Sequence, residues 1–487
     1  MSAPVTSILH ISDLHRSSTD PIGNDELLST LVADRDRYVA ETPPVPAPQF
    51  IIVSGDLVQG VPLEAADPDA ELAHQYEVAL EFLCRLTDVF AGGERRRVVI
   101  VPGNHDVSWP IAHSAMAPVD DATAHQLSAR AFGPTSDLRW DWRDRKVYRI
   151  ANRPLYEERM RHYTTTVNAF YEGLDLPYPT TNHPYYRLYE LMEGRIGVAA
   201  FNSCAGNDCF SFHGAIPEEA LARAHLQLRD RQARYDLLMA VWHHNIEGAP
   251  YTSDYMDVAD VYRLIGKGFR LGLHGHQHRA EMAVRYIYLP DQIPMAVISA
   301  GSLCAGQRDL PMGVHRQYNI IELDEALSSA RVHVREMAIA TVFGPAQRTE
   351  FGGKSYIDLK WGNDRSAAAQ EARERDATFA AEQAIGEGRF DDAVTGLCAV
   401  HPSPGSYPRA LLIQALRESG DWNRAVQVLS APANPDEVVL LVKAQVALGN
   451  HDDADSILAE KAEALGMTEP AARDLQSWID AQRKMAR

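Results

Sequence analysis

Leu273 to His278 reads L-H-G-H-Q-H, three histidines within five residues at the end of the apolar run that begins at Phe269. Imidazole is the commonest metal ligand, so a cluster of this kind raises metal ligation against a merely solvated turn. Working outward, four other short β-branched runs end in the same way. Ser7 to Ser12 (S-I-L-H-I-S) leads into Asp13-Leu14-His15, and Gln49 to Ser54 (Q-F-I-I-V-S) leads into Gly55-Asp56. Arg97 to Val101 (R-V-V-I-V) leads into P-G-N-H-D, ending at Asp106, and Leu237 to Trp242 (L-L-M-A-V-W) leads into His243-His244-Asn245. Each of these runs predicts a strand that delivers Asp, Asn or His just past its carboxyl end, the edge where α/β sheets assemble sites. Turn chemistry explains Asp, Asn and Gly at such ends, but not histidine.

The strand-end residues Asp13, His15, Asp56, Asn104, His105, His243, His276 and His278 combine carboxylates, an amide oxygen and imidazoles. That mixture suits borderline divalent ions (Mn, Fe, Co, Ni or Zn), whereas calcium calls for nearly all oxygen. The set is too large for one tetrahedral zinc and suits two ions sharing a bridge. The sequence contains neither G-x-x-x-x-G-K-[ST] nor G-x-G-x-x-G to offer a competing nucleotide-binding reading.

Length and composition frame this site. A chain of 487 residues with 45% hydrophobic content accommodates a large core and a second domain. The N-terminus lacks a basic segment followed by a long apolar run, and no stretch approaches a bilayer-spanning length, so the expectation is a cytoplasmic protein without a membrane partner. Five cysteines, none in C-x-x-C form, fit reduced thiols. A net charge of -19 opposes generic duplex-DNA binding.

Strands alternate with amphipathic segments up to about residue 340, and we read residues 1–362 as one domain of α+β class. Within it, 107–193 reads as a helical insertion, with Pro154 to Gly173 forming either a lid over the strand ends or an outer helical layer. After Trp361, alanine and glutamate rise and strands vanish. Blocks G-R-F-D-D-A from Gly388, G-D-W-N-R-A from Gly420 and G-N-H-D-D-A from Gly449 recur at offsets of 32 and 29 residues. This portion resembles tetratricopeptide repeats, so 363–375 is expected to be a linker or connecting helix and 376–487 a helical-repeat domain that binds a partner protein or a second copy of the chain.

The ordered set D-x-H, G-D, G-N-H-D, H-H and G-H-x-H resembles the calcineurin-like metallophosphoesterases over roughly residues 5 to 340. The resemblance implies a four-layer β-sandwich flanked by helices, followed here by the all-α repeat region. It implies one metal on Asp13, His15, Asp56 and His278, and a second on Asp56, Asn104, His243 and His276, with Asp56 bridging. It also implies two divalent metal ions, Mn above all in vitro, and a bridging water as nucleophile. His105 would stabilise the phosphoryl oxygens or protonate the leaving group, and Asp106 would orient its imidazole. His274 carries no ligand role in that pattern, and His244 is read as either supporting a ligand from behind or contacting substrate.

The chemistry implied is phosphodiester hydrolysis, with a nucleotide or another small phosphodiester as substrate, since Asn-His-Asp with H-H and G-H-Q-H is similar to class III cyclic-nucleotide phosphodiesterases. The 138 residues from His105 to His243 exceed a minimal member of that branch. The alternative is a nuclease acting on DNA or RNA in repair or defence. Its nucleic-acid track would use Arg95 to Arg97, Arg139, Arg143, Arg145, Lys146, Arg149, Arg153, Arg159 and Arg161, with Trp140, Trp142 and Tyr148 to stack on bases. A further alternative is a phosphatase recruited to a protein partner through the C-terminal repeats.

Overall fold

The structure is a computed structural model that describes residues 6–17, 22–128, 131–132, 136–176, 183–230, 235–246, 254–288, 292–306, 309–339, 342–361, 377–400, 402, 406–462 and 464–485. The chain divides into two compact units, Met1–Gly362 and Asn363–Arg487. Residues 363–375, expected as a linker or connecting helix, lie outside the described residues.

The apolar runs of the first unit form two main sheets. β1 (Thr6–Ile11), β2 (Phe50–Ser54) and β3 (Val98–Val101) lie parallel and side by side. A small antiparallel sheet follows, with β4 (Met116–Pro118) and β5 (Leu138–Asp141) on either side of β6 (Lys146–Ile150). β7 (Tyr186–Leu191), β8 (Ile196–Phe201), β9 (Leu237–Val241), β10 (Leu271–His274), β11 (Glu281–Tyr288) and β12 (Gln292–Ser299) make the second main sheet in the order β11-β12-β10-β9-β8-β7. The chain then returns to the first sheet through β13 (Gln317–Leu323), β14 (Ser329–Ile339), β15 (Val342–Pro345) and β16 (Tyr356–Lys360). β13 pairs antiparallel with β1 and closes the order β15-β14-β13-β1-β2-β3, with β16 on β14.

Side-chain alternation sets the layers. On β9, Leu237, Met239 and Val241 join the core shared with the first sheet, while Leu238 and Ala240, with Trp242 beyond the strand end, point into the opposite core. That opposite face is covered by α7 (Glu218–Arg229) and α8 (Val258–Gly266) through Ala220, Leu221, Ala224, Leu228, Val261 and Leu264. The first sheet is covered by α1 (Asn24–Arg35) and α2 (Pro68–Ala91) through Leu27, Leu31, Phe82 and Leu86. Strands buried on both faces read as near-continuous apolar runs, which is why they stand out in the sequence.

The insertion differs from the helical expectation. It holds α3 (Trp109–Ser114), α4 (Asp121–Ala124), α5 (Arg153–Glu157) and α6 (Arg161–Phe170), but also the whole three-stranded sheet. α6 buries Tyr163, Val167 and Phe170 in the main core, so this segment is an outer helical layer rather than a lid.

The second unit is helical where described. Residues 377–386 are helical, followed by α9 (Phe390–Val400), α10 (Tyr407–Ser419), α11 (Trp422–Val428), α12 (Pro435–Ala447), α13 (His451–Lys461) and α14 (Glu469–Met485). The three repeated glycines each take a left-handed backbone, with φ of 75°, 68° and 82° at Gly388, Gly420 and Gly449, at turns between successive helices. The repeated alanines and leucines, Ala393 and Leu397, Ala425 and Leu429, Ala454 and Leu458, are buried. The period therefore encodes helical hairpins whose turns need positive φ and whose helices both contribute to the core.

Candidate metal centre

The strand ends of both main sheets converge, and the backbone there is held in an uncommon shape. Asp13, His15, Asp56, His276 and His278 all have positive φ, at 53°, 44°, 52°, 80° and 55°. Such conformations are costly for residues with a Cβ and persist where surrounding structure over-determines them. Here the parallel pairing of β1 and β2 continues past the strands. The Asp13 amide donates to Gly55 O at 3.0 Å, Leu14 and His15 amides donate to Asp56 O, and the Arg16 amide donates to Leu57 O. Gly55 combines φ of 103° with close approach, since a Cβ would lie 2.4 Å from His243 Nδ1. A Cβ on Gly103 would lie 2.1 Å from Asp56 Oδ1. The glycines before Asp56 and Asn104 are thus what let the two loops close on each other.

Two groups of donor atoms result. In the first, His278 Nε2 lies 3.3 Å from Asp13 Oδ1 and 3.0 Å from His15 Nε2, while His15 Nε2 lies 3.8 Å from both Asp13 Oδ1 and Asp56 Oδ2. In the second, His243 Nε2 lies 3.1 Å from Asp56 Oδ2 and 3.1 Å from Asn104 Oδ1, and His276 Nδ1 lies 2.9 Å from Asn104 Oδ1. Asp56 faces both groups. His105 borders them, its ring 4.6 Å from that of His15 and its amide donating to Asp56 Oδ1 at 2.8 Å.

The far nitrogens of His243, His278 and His105 are tied down. His243 Nδ1 donates to Ser54 O at 2.8 Å, His278 Nδ1 to Asp309 O at 2.6 Å, and His105 Nδ1 to Gln59 O at 2.7 Å. His276 Nε2 lies 3.6 Å from Asp254 Oδ2. Backbone carbonyls and carboxylates in these positions fix tautomer and ring direction, leaving the facing nitrogen for a metal. Asp13 Oδ1 is buried, with His278 Nε2 at 3.3 Å and His15 Nε2 at 3.8 Å. A desolvated carboxylate oxygen ringed by imidazoles fits a cation. The donor set fits two divalent ions, with nitrogen and oxygen mixed as transition metals take them.

Electrostatics in the metal-free chain agree. Burial alone would raise the Asp13 and Asp56 carboxyls, but His278 and His243 hold them below the usual carboxylate range. Burial pushes His243 and His278 down, yet Asp56 and Asp13 overcome it and lift each imidazole to about 9. Burial, reinforced by His105, lowers His15 to about 3. Two imidazolium groups therefore face two carboxylates where the cations would sit.

All seven expected ligands, Asp13, His15, Asp56, Asn104, His243, His276 and His278, lie together with His105. Asp106 is placed differently from the sequence reading. Its Oδ2 accepts from the Gly103 and Leu57 amides at 2.8 and 3.2 Å, and its Oδ1 accepts from the Tyr76 hydroxyl at 2.9 Å. The Gln59 carbonyl, not Asp106, orients the His105 imidazole; Asp106 ties the Asn104 turn to the Asp56 loop. Burial and the Asp56 charge raise its carboxyl to about 7. His244 is buried against Ser203 Oγ, 2.8 Å from its Nδ1, and His274 stacks on Trp242 with centroids 5.5 Å apart. Ser302 Oγ donates to Asp13 O at 2.7 Å and so supports that loop. Gln59, Asp254 and Asp309 escaped sequence reading; two act through backbone carbonyls, which leave no mark on residue type.

Much of the expected arginine track has internal partners. Arg139 is 4% exposed with Nε 2.5 Å from Asp208 Oδ2, and Arg159, 2% exposed, donates to the carbonyls of Ala205 and Asn207. Arg95 donates to the carbonyls of Phe170 and Glu172. Among the described residues no helix is long and apolar enough to cross a membrane.

Comparison with known proteins bears on the same residues. No curated protein matches the sequence. Similar solved structures include a dimetal phosphatase from Danio rerio, 11% identical over 74% of this chain and 100% of that one with a TM-score of 0.41. The calcineurin-like phosphoesterase YfkN from Bacillus subtilis is 12% identical over 74% of this chain and 92% of that one, with a TM-score of 0.32. The family model described as calcineurin-like phosphoesterase matches residues 6–280, from the first strand through the last histidine of the centre. With that span covering more than half the sequence and every expected ligand inside it, the chain belongs to the calcineurin-like phosphoesterase family.

Proposed function

We propose that this phosphoesterase hydrolyses phosphodiesters, with a nucleotide or another small phosphodiester as substrate, using two divalent ions of which manganese serves in vitro. The observation that carries the reading is the pair of donor groups sharing Asp56, with His105 alongside. Asp13, His15, Asp56 and His278 would hold one ion, and Asp56, Asn104, His243 and His276 the other. When bound, such a pair supplies Lewis acidity and acidifies water toward neutrality. The chain's own residues then divide the remaining tasks. His105, with Nδ1 held by the Gln59 carbonyl, offers Nε2 to a phosphoryl oxygen or a leaving group. Asn104 contributes a neutral oxygen where a third carboxylate would repel an anionic substrate. A net charge of -19 and the internal partners of Arg139 and Arg159 favour a small ligand over a long polyanion. The hairpin repeat of the second unit supports a partner protein, or a second copy of the chain, as its ligand.

The test is hydrolysis by purified, Mn-reconstituted protein of a bis-aryl phosphodiester, an aryl monoester, cyclic nucleotides, and single- and double-stranded DNA, with Asp56→Asn as control. Turnover of small diesters is expected. Turnover confined to the monoester sinks the diesterase reading, and cleavage of DNA in preference to small diesters replaces it with the nuclease.

A further inference from the structure

We propose that the rim of this centre carries an aromatic platform for the base of a nucleotide substrate, made by Trp109, His113, Tyr148, Phe210 and Phe212. The proposal rests on the phosphodiesterase reading and adds what the substrate carries beyond its phosphate.

Two segments present four of these rings, each attached to the metal centre, and Tyr148 comes from β6. The first continues from the Asn104–Asp106 turn. Ser108 caps α3, Trp109 opens it four residues beyond His105, and His113 follows one turn later on the same face. The second loop follows β8 and contains Phe210, Phe212 and Gly214. A Cβ on Gly214 would lie 2.3 Å from the His244 ring, and that ring is 4.9 Å from His276. The loop therefore rests on His244, the ring next to His276 of the centre. The loops meet where Trp109 and Phe212 lie 5.7 Å apart. From there, Phe210 stacks on Tyr148 at 5.0 Å, and His113 lies 5.7 Å from Tyr148 and 5.8 Å from Phe210.

All five rings are half-buried or exposed, with Phe212 38% exposed. Single exposed aromatics need no explanation, but a contiguous cluster beside a polar site marks a ligand surface. The cluster is also locked in place. Asp208 Oδ1 accepts from the Phe210 and Ser211 amides at 2.9 and 3.0 Å, while its Oδ2 accepts from Arg139 Nε and from the Tyr156 hydroxyl. Arg159 holds the carbonyls of Ala205 and Asn207 in the second loop, and its own carbonyl accepts from the Ser108 amide of the first at 2.9 Å. Two buried arginines thus clamp both loops. Burying these charges carries a desolvation cost that the Asp208 pairing and the carbonyl contacts offset, and a surface ordered beforehand loses less freedom on binding.

The ligand chemistry follows from position. A phosphodiester whose phosphoryl group sits among the strand-end ligands can extend one substituent toward this rim. A flat heteroaromatic ring stacks on Trp109 and Phe212, and the His113 nitrogens and Tyr148 hydroxyl offer polar partners for its edge.

The experiment compares kcat/KM of the Mn-loaded full chain for thymidine 5′-(4-nitrophenyl phosphate) and methyl 4-nitrophenyl phosphate, which share a leaving group and differ in the nucleoside. The expected preference is about 5- to 150-fold, the worth of one stacked base. Trp109→Ala and Phe212→Ala should bring the ratio toward unity, Trp109→Phe should keep most of it, and Trp142→Ala at the exposed hairpin tip should leave it in place. A wild-type ratio near unity, or one indifferent to Trp109→Ala and Phe212→Ala, overturns the platform while turnover of the methyl ester leaves the diesterase reading standing. If neither ester reacts, the diesterase reading fails, and calorimetry of adenosine 5′-monophosphate against ribose 5-phosphate decides the platform. Tighter binding of the nucleotide, lost in Trp109→Ala, supports it; equal binding or none overturns it.

Discussion

Metal uptake by this protein should release protons, and the structure sets how many. His243 and His278 each donate Nδ1–H to a backbone carbonyl while Nε2 faces a carboxylate, a geometry that fits imidazolium. Burial opposes that charge, but Asp56 and Asp13 lift both groups to about 9 from an ordinary 6.5. A metal needs the facing nitrogen without its proton, so binding displaces one proton from each. At pH 7 each group stands about two units below its midpoint, so displacing the two protons costs on the order of 5 kcal/mol. Below pH 9 the combined affinity for two ions should therefore rise about 100-fold per pH unit. Calorimetric titration of Mn into metal-free protein at pH 7, repeated in buffers of different ionisation enthalpy, reads the proton count directly. About two protons per two ions are expected. Release of fewer than about half a proton, or an affinity flat from pH 7 to 8, refutes the reasoning. The same groups give a sign for stability. A raised imidazole pKa contributes stability that is complete below pH 6.5 and lost as pH rises through about 9, so the metal-free protein should melt earlier across that window.

Asp56→Asn should abolish turnover and reduce metal content measured by elemental analysis, because both donor groups share this carboxylate; full metal content with normal rates contradicts the assignment. His105→Ala should keep its metals and lose about 10²- to 10⁴-fold in kcat, the usual range for a proton-transferring or phosphoryl-binding group; a variant with unchanged kcat excludes that role. Gly103→Ala places a Cβ 2.1 Å from Asp56 Oδ1, and overpacking of this kind typically costs about 1 to 3 kcal/mol. Its melting temperature and metal content should both fall, and a variant equal to wild type in both counts against the close approach. Asp106→Ala should lower melting temperature and metal retention together, since it frees the Gly103 and Leu57 amides; a loss of turnover alone would restore the idea that Asp106 acts on His105.

The sandwich and the ligand set were legible for the same reason. Strands buried on both faces must be continuous apolar runs, and metal chemistry admits few residue types, so five runs ending in Asp, Asn or His left little room for another arrangement. What stayed hidden depends on long-range pairing or on backbone. The Arg139–Asp208 contact joins residues that are distant in sequence, so Arg139 looked like part of a surface track. The strands around Trp140 and Tyr148 are short and mix charge with apolar residues, and they fell within a stretch read as helical. Asp106 follows His105 directly, which suggested that one orients the other, yet the turn sends the two side chains apart.

Five of the seven expected ligands occupy left-handed backbone, although each carries a Cβ that disfavours it. Glycine would relieve that cost at any of these positions and could ligate nothing. Asp13 and His15 are held there by a ladder that continues past the ends of β1 and β2, and Asp56 supplies the carbonyl that accepts from both Leu14 and His15. Backbone pairing between the β1 and β2 ends therefore sets the shape of the centre at Asp13, His15 and Asp56. The His243 and His278 imidazoles then offset the carboxylates that this pairing brings together. Their protons are the ones a metal has to displace, so the pH dependence of stability and that of metal uptake share one physical origin.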